Sequence, residues 1–426
     1  MISNRGEEMY QFIKTLYPIC RSITGDGFRQ TLGFIAKEIP LKRFEIPSGE
    51  GVFDWTVPKE WNIRDGWIKN SAGEKVVDFK KHNLHVLNYS APIHRKMTLD
   101  ELKPHLFTLP ENPDWIPYRT SYYNENWGFC MSENQLREMP PGEYEVFIDS
   151  TLENGSLTYA ECFLQGESDE EMLISCHACH PSLCNDNLSG IAVATWLGKH
   201  LKNRARRLSY RIIFIPGTIG AITWLAKNEA HVKKIKHGLV VTGVGDGGHV
   251  TYKRSRRGNA EIDKAFEYVL KNSGDKFDMI DFSPYGYDER QYCSPGFNLP
   301  MGCLMRTPFG QYPEYHTSAD NLDFVKPVSL EDSLKKCVEV VEILESNATF
   351  KNTNPKCEPQ LGKRGIYEAM GAPGTRQELQ LAMLWTLNLS DSEHSLLDVA
   401  KRSKISFQTV VAAAKLLHEH QLLTKV

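Results

Sequence analysis

Apolar side chains near the start of the chain recur at helical spacing, at Met9, Phe12, Ile13, Leu16 and Ile19. This spacing predicts an amphipathic helix over residues 7–20, and a second helix is expected over 32–39. From about residue 40 to residue 144 the pattern changes, because prolines, aromatic residues and turn signals become dense and only a short helical period remains, near 99–106. We interpret residues 43–144 as an inserted, mostly β-structured domain.

Buried strands then alternate with helices. The expected strands are 172–176, 210–215, 239–243 and 300–305, and the expected helices are 189–201, 219–228, 262–270 and 330–344. This alternation predicts an α/β fold with a doubly wound, mostly parallel sheet, formed by residues 1–42 and 145–350. Ligands of such sheets bind at the carboxyl ends of the strands, so the residues that follow each strand are the first candidates for chemistry.

The last part of the chain, residues 355–426, has the pattern of a winged-helix domain. A helix is expected over 396–402, and Ser406 is the expected N-cap of a second helix that contains Phe407 and Leu417. The short end of the chain leaves little sequence for a wing. The basic residues near the second helix are few, so we expect this domain to serve packing or homo-oligomer formation and not to bind nucleic acid.

The composition is that of a globular protein of two or three domains. The 426 residues are 41% hydrophobic and 24% charged. The 50 Lys and Arg against 53 Asp and Glu give a net charge of −3, which would not attract nucleic acid or an anionic membrane. The start has no apolar signal segment, and no stretch approaches the ~20 apolar residues of a membrane span. We therefore expect a cytoplasmic protein without a membrane partner, whose 10 cysteines are free thiols.

Three side chains in polar loops after predicted strands form a candidate metal site. His177 follows the strand 172–176 directly, Asp186 opens the next helix nine residues later, and His316 lies in a loop after another strand. Two imidazoles and one carboxylate leave an open position for water, as in catalytic zinc sites. His180 is a further candidate ligand, although a histidine before a proline is more often a loop hydrogen-bonding residue.

Three cysteines beside His177 permit two other interpretations. Cys176, Cys179 and His180 fit the spacing of covalent haem attachment, but the absence of an export signal argues against haem. A cysteine zinc cluster that includes Cys184 lacks an evident fourth ligand. We interpret these thiols as packing residues.

The segment Asn-Asp-Asn-Leu-Ser-Gly at 185–190 and the segment Tyr-His-Thr-Ser-Ala-Asp at 315–320 resemble the metal motifs of the co-catalytic zinc aminopeptidases. The wider chain is similar to bacterial polysaccharide-biosynthesis proteins with an aminopeptidase-like domain. The segments that carry this closer similarity are 54–61, 116–123, 127–130 and 179–183. The resemblance implies an aminopeptidase-like core with one zinc ion or two, an inserted β-rich domain and a terminal winged helix.

Carried over position by position, the resemblance makes His177 a ligand of the first metal, Asp186 the bridging carboxylate and His316 a ligand of the second metal. Asp288 resembles the acidic residue of the site wall. The chain departs from the aminopeptidases at Gly217, which stands where they have a general-base Glu.

A second departure concerns the strand that ends at 241–243, which lacks the Asp ligand of the aminopeptidases. This leaves Asp246 as a displaced candidate ligand, although it could equally cap its loop. Glu314 and Glu289 are candidates for the missing general base, and Glu314 could equally be a solvated loop acid.

The expected function is that of a zinc-dependent aminopeptidase or related amidohydrolase, which acts through metal-bound water on a peptide-like or aminoacyl small molecule. The alternative is a binding or regulatory protein of polysaccharide biosynthesis that has lost turnover. Residue 217 discriminates between them, because glycine cannot move a proton.

Overall fold

The computed structural model describes the backbone of residues 4–366 and 373–426, and the side chains of these residues except 373–376. Two compact units are present. The first contains the described residues up to Asp263 together with Asp275–Cys337. The second contains Lys264–Gly274 and the described residues of Val338–Val426.

The first unit is built on an eight-stranded sheet. In spatial order its strands are Lys42–Pro47, Ser156–Leu164, Ser209–Ile215, Glu171–His177, Ile235–Val241, Met301–Met305, Val250–Lys253 and Phe277–Ile280. The four strands from Ser209–Ile215 to Met301–Met305 in this order run parallel, while antiparallel pairs join them to the strands on either side. The predicted α/β fold with a mostly parallel sheet is confirmed.

The central strands are mostly buried because both faces of the sheet are covered. All seven residues of Glu171–His177 are buried, as a parallel strand between two helical layers requires. The helices of this unit are Arg5–Leu16, Asp26–Ile35, Gly190–Lys202, Ile219–Asn228, Glu289–Tyr292 and the first part of Pro327–Ser346. His177 pairs with Ile215 in the parallel register, so two strand ends lie side by side at the carboxyl edge.

A second, four-stranded antiparallel sheet lies in the inserted region. Its strands, in spatial order, are Lys75–Asp78, Glu60–Lys69, Glu143–Glu153 and Ile93–Thr98. The same region contains two separate two-stranded sheets, Gly51–Val52 with Trp55–Thr56 and Leu106–Phe107 with Phe129–Cys130. It also contains short helices at Leu99–Leu102 and Glu133–Arg137. Residues 43 and 144 both fall inside strands, so the domain limits drawn there stay a prediction.

The second unit contains the helices Pro373–Leu389, Leu396–Ser403 and Phe407–Glu419, and residues 264–272 of the helix Glu261–Asn272. Ser406 caps Phe407–Glu419 by accepting a hydrogen bond from the Thr409 amide, as predicted. Its three-stranded sheet has the order Asp391–Ser395, Thr349–Asn352, Leu423–Lys425. The end of the chain, where little sequence was expected for a wing, forms a strand of three residues that pairs with a strand preceding the three helices.

Most predicted elements agree with the structure within a few residues. The helix Ile219–Asn228 has the predicted bounds. The helix expected at 32–39 lies instead at Asp26–Ile35, because it begins directly after Gly25 and buries Phe28 as well as Leu32. The strands Lys42–Pro47, Ser156–Leu164, Val250–Lys253 and Phe277–Ile280 were not predicted.

Candidate metal centre

His177 is the last residue of its strand and is fully buried. Its Nε2 atom lies 2.8 Å from Oδ1 of Asp186. Asp186 lies in the π-helical turn Cys184–Ser189, which connects the loop after this strand to the helix Gly190–Lys202. The strand end and the helix start therefore bring these two side chains together, as the sequence predicts for this edge of the sheet.

Two more histidines converge on the same carboxylate. Nδ1 of His180 lies 3.1 Å from Oδ2 of Asp186, and Nε2 of His316 lies 3.0 Å from the same oxygen. The ligand atoms of His177, His180 and Asp186 all lie within 4.8 Å of one another. His180 thus belongs to the cluster and not only to its loop. The side chain of His316 is 34% exposed whereas that of His177 is 0% exposed, so the cluster opens on the side of His316.

The backbone around Asp186 is held by polar side chains on both sides. The buried carboxylate of Asp320 accepts hydrogen bonds from the backbone amides of Asn185 (2.6 Å) and Asp186 (2.9 Å). The side-chain Nδ2 of Asn187 donates to the carbonyls of His177 (3.1 Å) and Val241 (3.2 Å). These contacts fix the carboxylate of Asp186 relative to two strand ends. Sequence reasoning included these residues in its motifs but gave them no role.

Tyrosine side chains form the wall of the cluster. The hydroxyl of Tyr287 donates to Oδ2 of Asp186 at 2.7 Å, and its ring stacks on His177 with 4.5 Å between centroids. Tyr315 stacks on His316 at 3.9 Å. A cavity of about 10 Å³ lies between Asp186 and the rings of Tyr287 and Tyr315. It has room for about one water molecule.

The inserted region contributes directly to this wall. The backbone amide of Tyr118 donates to the carbonyl of His316 at 2.7 Å, and the amide of Ser318 donates to the carbonyl of Ile116 at 2.8 Å. The ring of Tyr118 meets the rings of His180 and His316 edge-on, each at 5.2 Å. Residues 116–118 are therefore part of the wall of the site.

The donor set fits zinc. Three imidazole nitrogens and one carboxylate are ligands that zinc accepts, and bonds of 2.0–2.1 Å in a tetrahedron place neighbouring donors roughly 3.4 Å apart. Burial lowers the pKa values of His177 and His316, which favours the neutral imidazole that a metal needs. Burial opposes ionisation of Asp186, but His180, His177 and His316 together hold its pKa well below the ordinary value.

Three other candidate residues lie outside this cluster. Asp246 is buried, and its carboxylate accepts hydrogen bonds from Asn185, Gly248 and Thr307, so it organises a loop instead of joining the ligands. Glu289 is buried in an ion pair with Lys253 at 2.9 Å. The side chain of Glu314 makes no hydrogen bond or ion pair with any residue that the structure describes. None of these three acids belongs to the cluster of possible metal ligands found among the described residues.

Asp288 differs from these acids because it is buried without a partner. Its side chain is inaccessible to solvent, and neither carboxylate oxygen has a hydrogen-bond partner among the described residues. Burial, followed by the charge of Glu289, raises the pKa of Asp288 to about 8. A Cβ atom on Gly217 would lie 3.7 Å from Oδ2 of Asp288 and 3.1 Å from Cβ of His177. Asp288 therefore lies beside the position from which a side chain at 217 would project.

Arg21 is a residue that sequence reasoning missed. It is fully buried, its Nε donates to the carbonyl of His180 at 2.8 Å, and its Nη1 donates to the carbonyl of Leu16 at 2.7 Å. Burial lowers its pKa to about 10. No carboxylate in the described residues pairs with it, so this guanidinium serves the loop that carries His180. Arg21 lies far from His180 in the sequence, so no local sequence pattern indicates their contact.

Comparison with known proteins agrees with this fold. A family model described as a domain of unknown function, DUF4910, matches residues 10–347, and a winged helix-turn-helix model matches residues 348–425. The chain belongs to the DUF4910 family. A relative from Clostridium acetobutylicum, provisionally named a polysaccharide biosynthesis protein with an aminopeptidase-like domain, is 53% identical over 424 residues, which cover 100% of this chain and 98% of the relative.

Solved structures similar to this DUF4910 chain include a provisionally named peptidase and an aminopeptidase. The crystal structure of a provisionally named peptidase from Clostridium acetobutylicum has 52% identity and a TM-score of 0.92, covering 99% of this chain and 96% of that one. A zinc aminopeptidase from Bacillus subtilis has 12% identity and a TM-score of 0.58, covering 81% and 96%. The aminopeptidase-like fold and the winged helix expected from the sequence are confirmed.

The remaining composition-based expectations concern membranes and thiols. Among the helices that the structure describes, none has both the length and the apolar character needed to cross a membrane. All 10 cysteines are free thiols, as predicted. Cys176, Cys179 and Cys184 are buried, in agreement with their interpretation as packing residues.

Proposed function

We propose that this protein is a zinc-dependent hydrolase of amide bonds, with the metal held by His177, His180, Asp186 and His316. The observation that carries the proposal is the convergence of three imidazoles on one buried carboxylate, at 2.8, 3.1 and 3.0 Å. The aminopeptidase-like fold supports the reaction class, and the name of the 53% identical relative supports a setting in polysaccharide biosynthesis. The substrate is a peptide-like or aminoacyl small molecule, and the free cysteines are consistent with the reducing cytoplasm.

Zinc bound there would polarise the amide carbonyl and make water a nucleophile at neutral pH. Asp288 acts as the general base, the role expected of Glu314 or Glu289 from the sequence. Its pKa of about 8 lets it accept and release a proton near neutral pH, and neither carboxylate oxygen is occupied by a hydrogen-bond donor from the described residues. Arg21 holds the loop of His180, and Tyr287 holds Asp186.

The zinc assignment is tested by metal analysis of purified variants. The wild type should contain at least one zinc ion per chain, and the double variant His177→Ala, His316→Ala should lose it, because only two protein ligands would remain. His94→Ala is the matched control, since His94 is 61% exposed and pairs with Glu145 on the surface. Full zinc retention in the double variant would refute the assignment. Asp288→Asn should keep zinc and lower hydrolysis of aminoacyl amides by roughly 10²- to 10⁴-fold.

A second candidate function is that of a binding protein without turnover. Two observations favour it: residue 217 has no carboxylate, and the cavity beside Asp186 is only about 10 Å³. Gly217 does not have a positive φ, so the backbone accepts a side chain there, although the 3.1 Å contact with His177 requires a small shift. Gly217→Glu therefore tests the candidates, with Gly217→Gln as the uncharged control.

If the protein is a weakened hydrolase, Gly217→Glu should raise hydrolysis of leucine amide and dipeptides above both the wild type and Gly217→Gln. Thermal melts and zinc content identify variants that fail through misfolding. A stable, zinc-loaded Gly217→Glu variant that gains nothing, together with an inactive wild type, would favour the binding protein.

A further inference from the structure

A tight hairpin at residues 51–56 exposes two large aromatic side chains at its tip. Gly51 pairs with Thr56 and Val52 pairs with Trp55, so Phe53 and Asp54 form a two-residue turn. Phe53 has a φ of 56°, at a turn position where hairpins favour glycine. Its side chain is 54% exposed and that of Trp55 is 45% exposed. The positive φ of Phe53 and the exposed rings both lower the stability of the fold. A binding function of the hairpin tip would explain why these residues are present.

Neighbouring loops hold both rings in place. The ring of Phe53 meets Phe297 edge-on at 5.8 Å, and Trp55 lies 5.6 Å from Tyr123, which is itself 51% exposed. At the base of the hairpin Val52 is fully buried, and Glu50 forms an ion pair with Lys227. The tip is therefore a fixed aromatic surface and not a mobile projection.

This aromatic surface is connected to the candidate metal centre. The residue next to Tyr123 is Tyr122, whose hydroxyl lies 2.6 Å from that of Tyr118. The ring of Tyr118 in turn lies against His180 and His316. These contacts link the segment that carries Tyr123 to the wall of the centre.

We propose that Phe53, Trp55 and Tyr123 form a saccharide-binding subsite beside the metal centre, which holds the sugar that carries the scissile amide. This proposal rests on the proposed function and names its substrate class as an aminoacyl or acylamino sugar. Fixed rings with exposed faces suit the apolar face of a pyranose. Asp54 and Asn124, exposed next to these rings in sequence, can accept hydrogen bonds from sugar hydroxyls.

Two other occupants fit this surface less well. A peptide held by backbone hydrogen bonds needs a free strand edge of several residues, whereas each strand of this hairpin has two residues. A membrane would need rings that project freely, but both rings lie against neighbouring loops, and the acidic Asp54 stands between them.

The test is calorimetric titration of the full-length protein with chitotriose and maltotriose, with tri-alanine and anionic phospholipid vesicles as alternative occupants. We expect saturable binding of at least one trisaccharide, weakened roughly tenfold or more by Trp55→Ala and by Tyr123→Ala. Phe163→Ala is the matched control, because Phe163 is an exposed ring (40%) that contacts Arg211 and none of the rings named here. Thermal melts confirm that each variant is folded.

Several results would overturn the subsite. The first is that neither trisaccharide binds, and the second is that Trp55→Ala and Tyr123→Ala leave trisaccharide binding intact. The third is that only tri-alanine or the vesicles bind, and that this binding depends on these rings. The double variant His177→Ala, His316→Ala should still bind the sugar. If the protein binds sugar but contains no zinc and hydrolyses nothing, the proposed function is refuted and the subsite is supported. If it shows zinc-dependent hydrolysis but binds no sugar, the subsite is refuted and the proposed function is supported.

Discussion

Asp288 opposes folding increasingly as the pH rises. Its carboxyl pKa is about 8 in the folded chain and ordinarily 3.8, so between these values the folded state holds a proton that the unfolded state has released. Stability therefore falls as the pH rises from about 4 and stops falling above about 8. The difference between these pKa values sets an upper bound of about 6 kcal/mol on the effect.

We predict that Asp288→Asn stabilises the metal-free protein more at pH 8 than at pH 5. The amide carries no charge, so the variant lacks the pH-dependent penalty. Urea unfolding in the presence of a chelator at both pH values measures the difference. Equal effects at the two pH values would mean that the ionised carboxylate finds a partner, for example a buried water molecule.

Asp320 is predicted to support metal binding without touching the metal. The two carboxylate oxygens of Asp320 accept hydrogen bonds from the backbone amides of Asn185 and Asp186. In Asp320→Asn an NH₂ group replaces one of these oxygens, so one buried backbone amide loses its acceptor. This loss lowers the stability of the fold by about 1–3 kcal/mol. Because the Asp186 loop loosens, zinc affinity should fall roughly 10- to 100-fold. Competition with a zinc chelator measures the affinity, and Asp323→Asn, at an exposed position of the same loop, is the control. Unchanged affinity would contradict a supporting role.

The ligand candidates could be predicted from the sequence because a chemical residue type coincides with a structural position. His177 ends a buried strand and Asp186 precedes a helix, so fold and chemistry point to the same edge. Arg21 could not be predicted, because its contact with the carbonyl of His180 spans 159 residues. The isolation of Asp288 also has no local signal, since it depends on what surrounds the carboxylate in three dimensions.

In the second unit, the start of the helix Phe407–Glu419 is covered by residues 264–272. The backbone amide of Phe407 donates to the hydroxyl of Tyr268 at 2.9 Å, so the first turn of the helix Phe407–Glu419 lies against residues 264–272. Lys401 pairs with Glu267 at 2.7 Å. The end of the helix that would enter a major groove is thus covered, and one nearby cation is neutralised.

We predict that the full-length protein does not bind DNA specifically. Fluorescence anisotropy with a randomised duplex pool, at 50 and 200 mM salt, should show at most weak binding in the non-specific range of about 10⁻⁴ M. A sequence-selective complex whose affinity falls steeply with salt would show instead that this helix is accessible.

Elements were predicted where the pattern of burial is strong. The strand Glu171–His177 is buried on both faces, and its residues Met172, Leu173 and Ile174 form an apolar run. The strand Phe277–Ile280 sits at the sheet edge, alternates between exposed and half-buried residues and is only four residues long, so its sequence resembles a loop. Ser156–Leu164 joins the sheet through antiparallel pairing, which the alternation of strands and helices does not reveal.

At the scale of the whole molecule, the boundary of the second unit differs from a boundary drawn along the sequence. The winged-helix model covers residues 348–425, but the unit also contains Lys264–Gly274, with Phe266 and Leu270 fully buried. The chain therefore enters this unit, leaves it and returns.

We predict that the isolated segment 348–426 is less stable than the same segment in the full chain, because it lacks the apolar side chains of 264–274. Circular dichroism melting of the fragment should give a low or broad transition, which a synthetic peptide of residues 261–274 raises. A fragment that melts sharply, with no response to the peptide, would mean that the second unit folds without this helix.

The pairing of residues 116–118 with 316–318 has a consequence for biosynthesis. The Ile116 amide and the Ser318 hydroxyl that meet there are separated by 202 positions along the chain. A ribosome that adds about 5–20 residues per second needs ten seconds or more to synthesise the intervening chain. During that time residues 116–118, His177, His180 and Asp186 have been synthesised, but His316 has not. Assembly of the complete set of candidate ligands is therefore a late event in the life of each chain, because it must follow translation of residue 316.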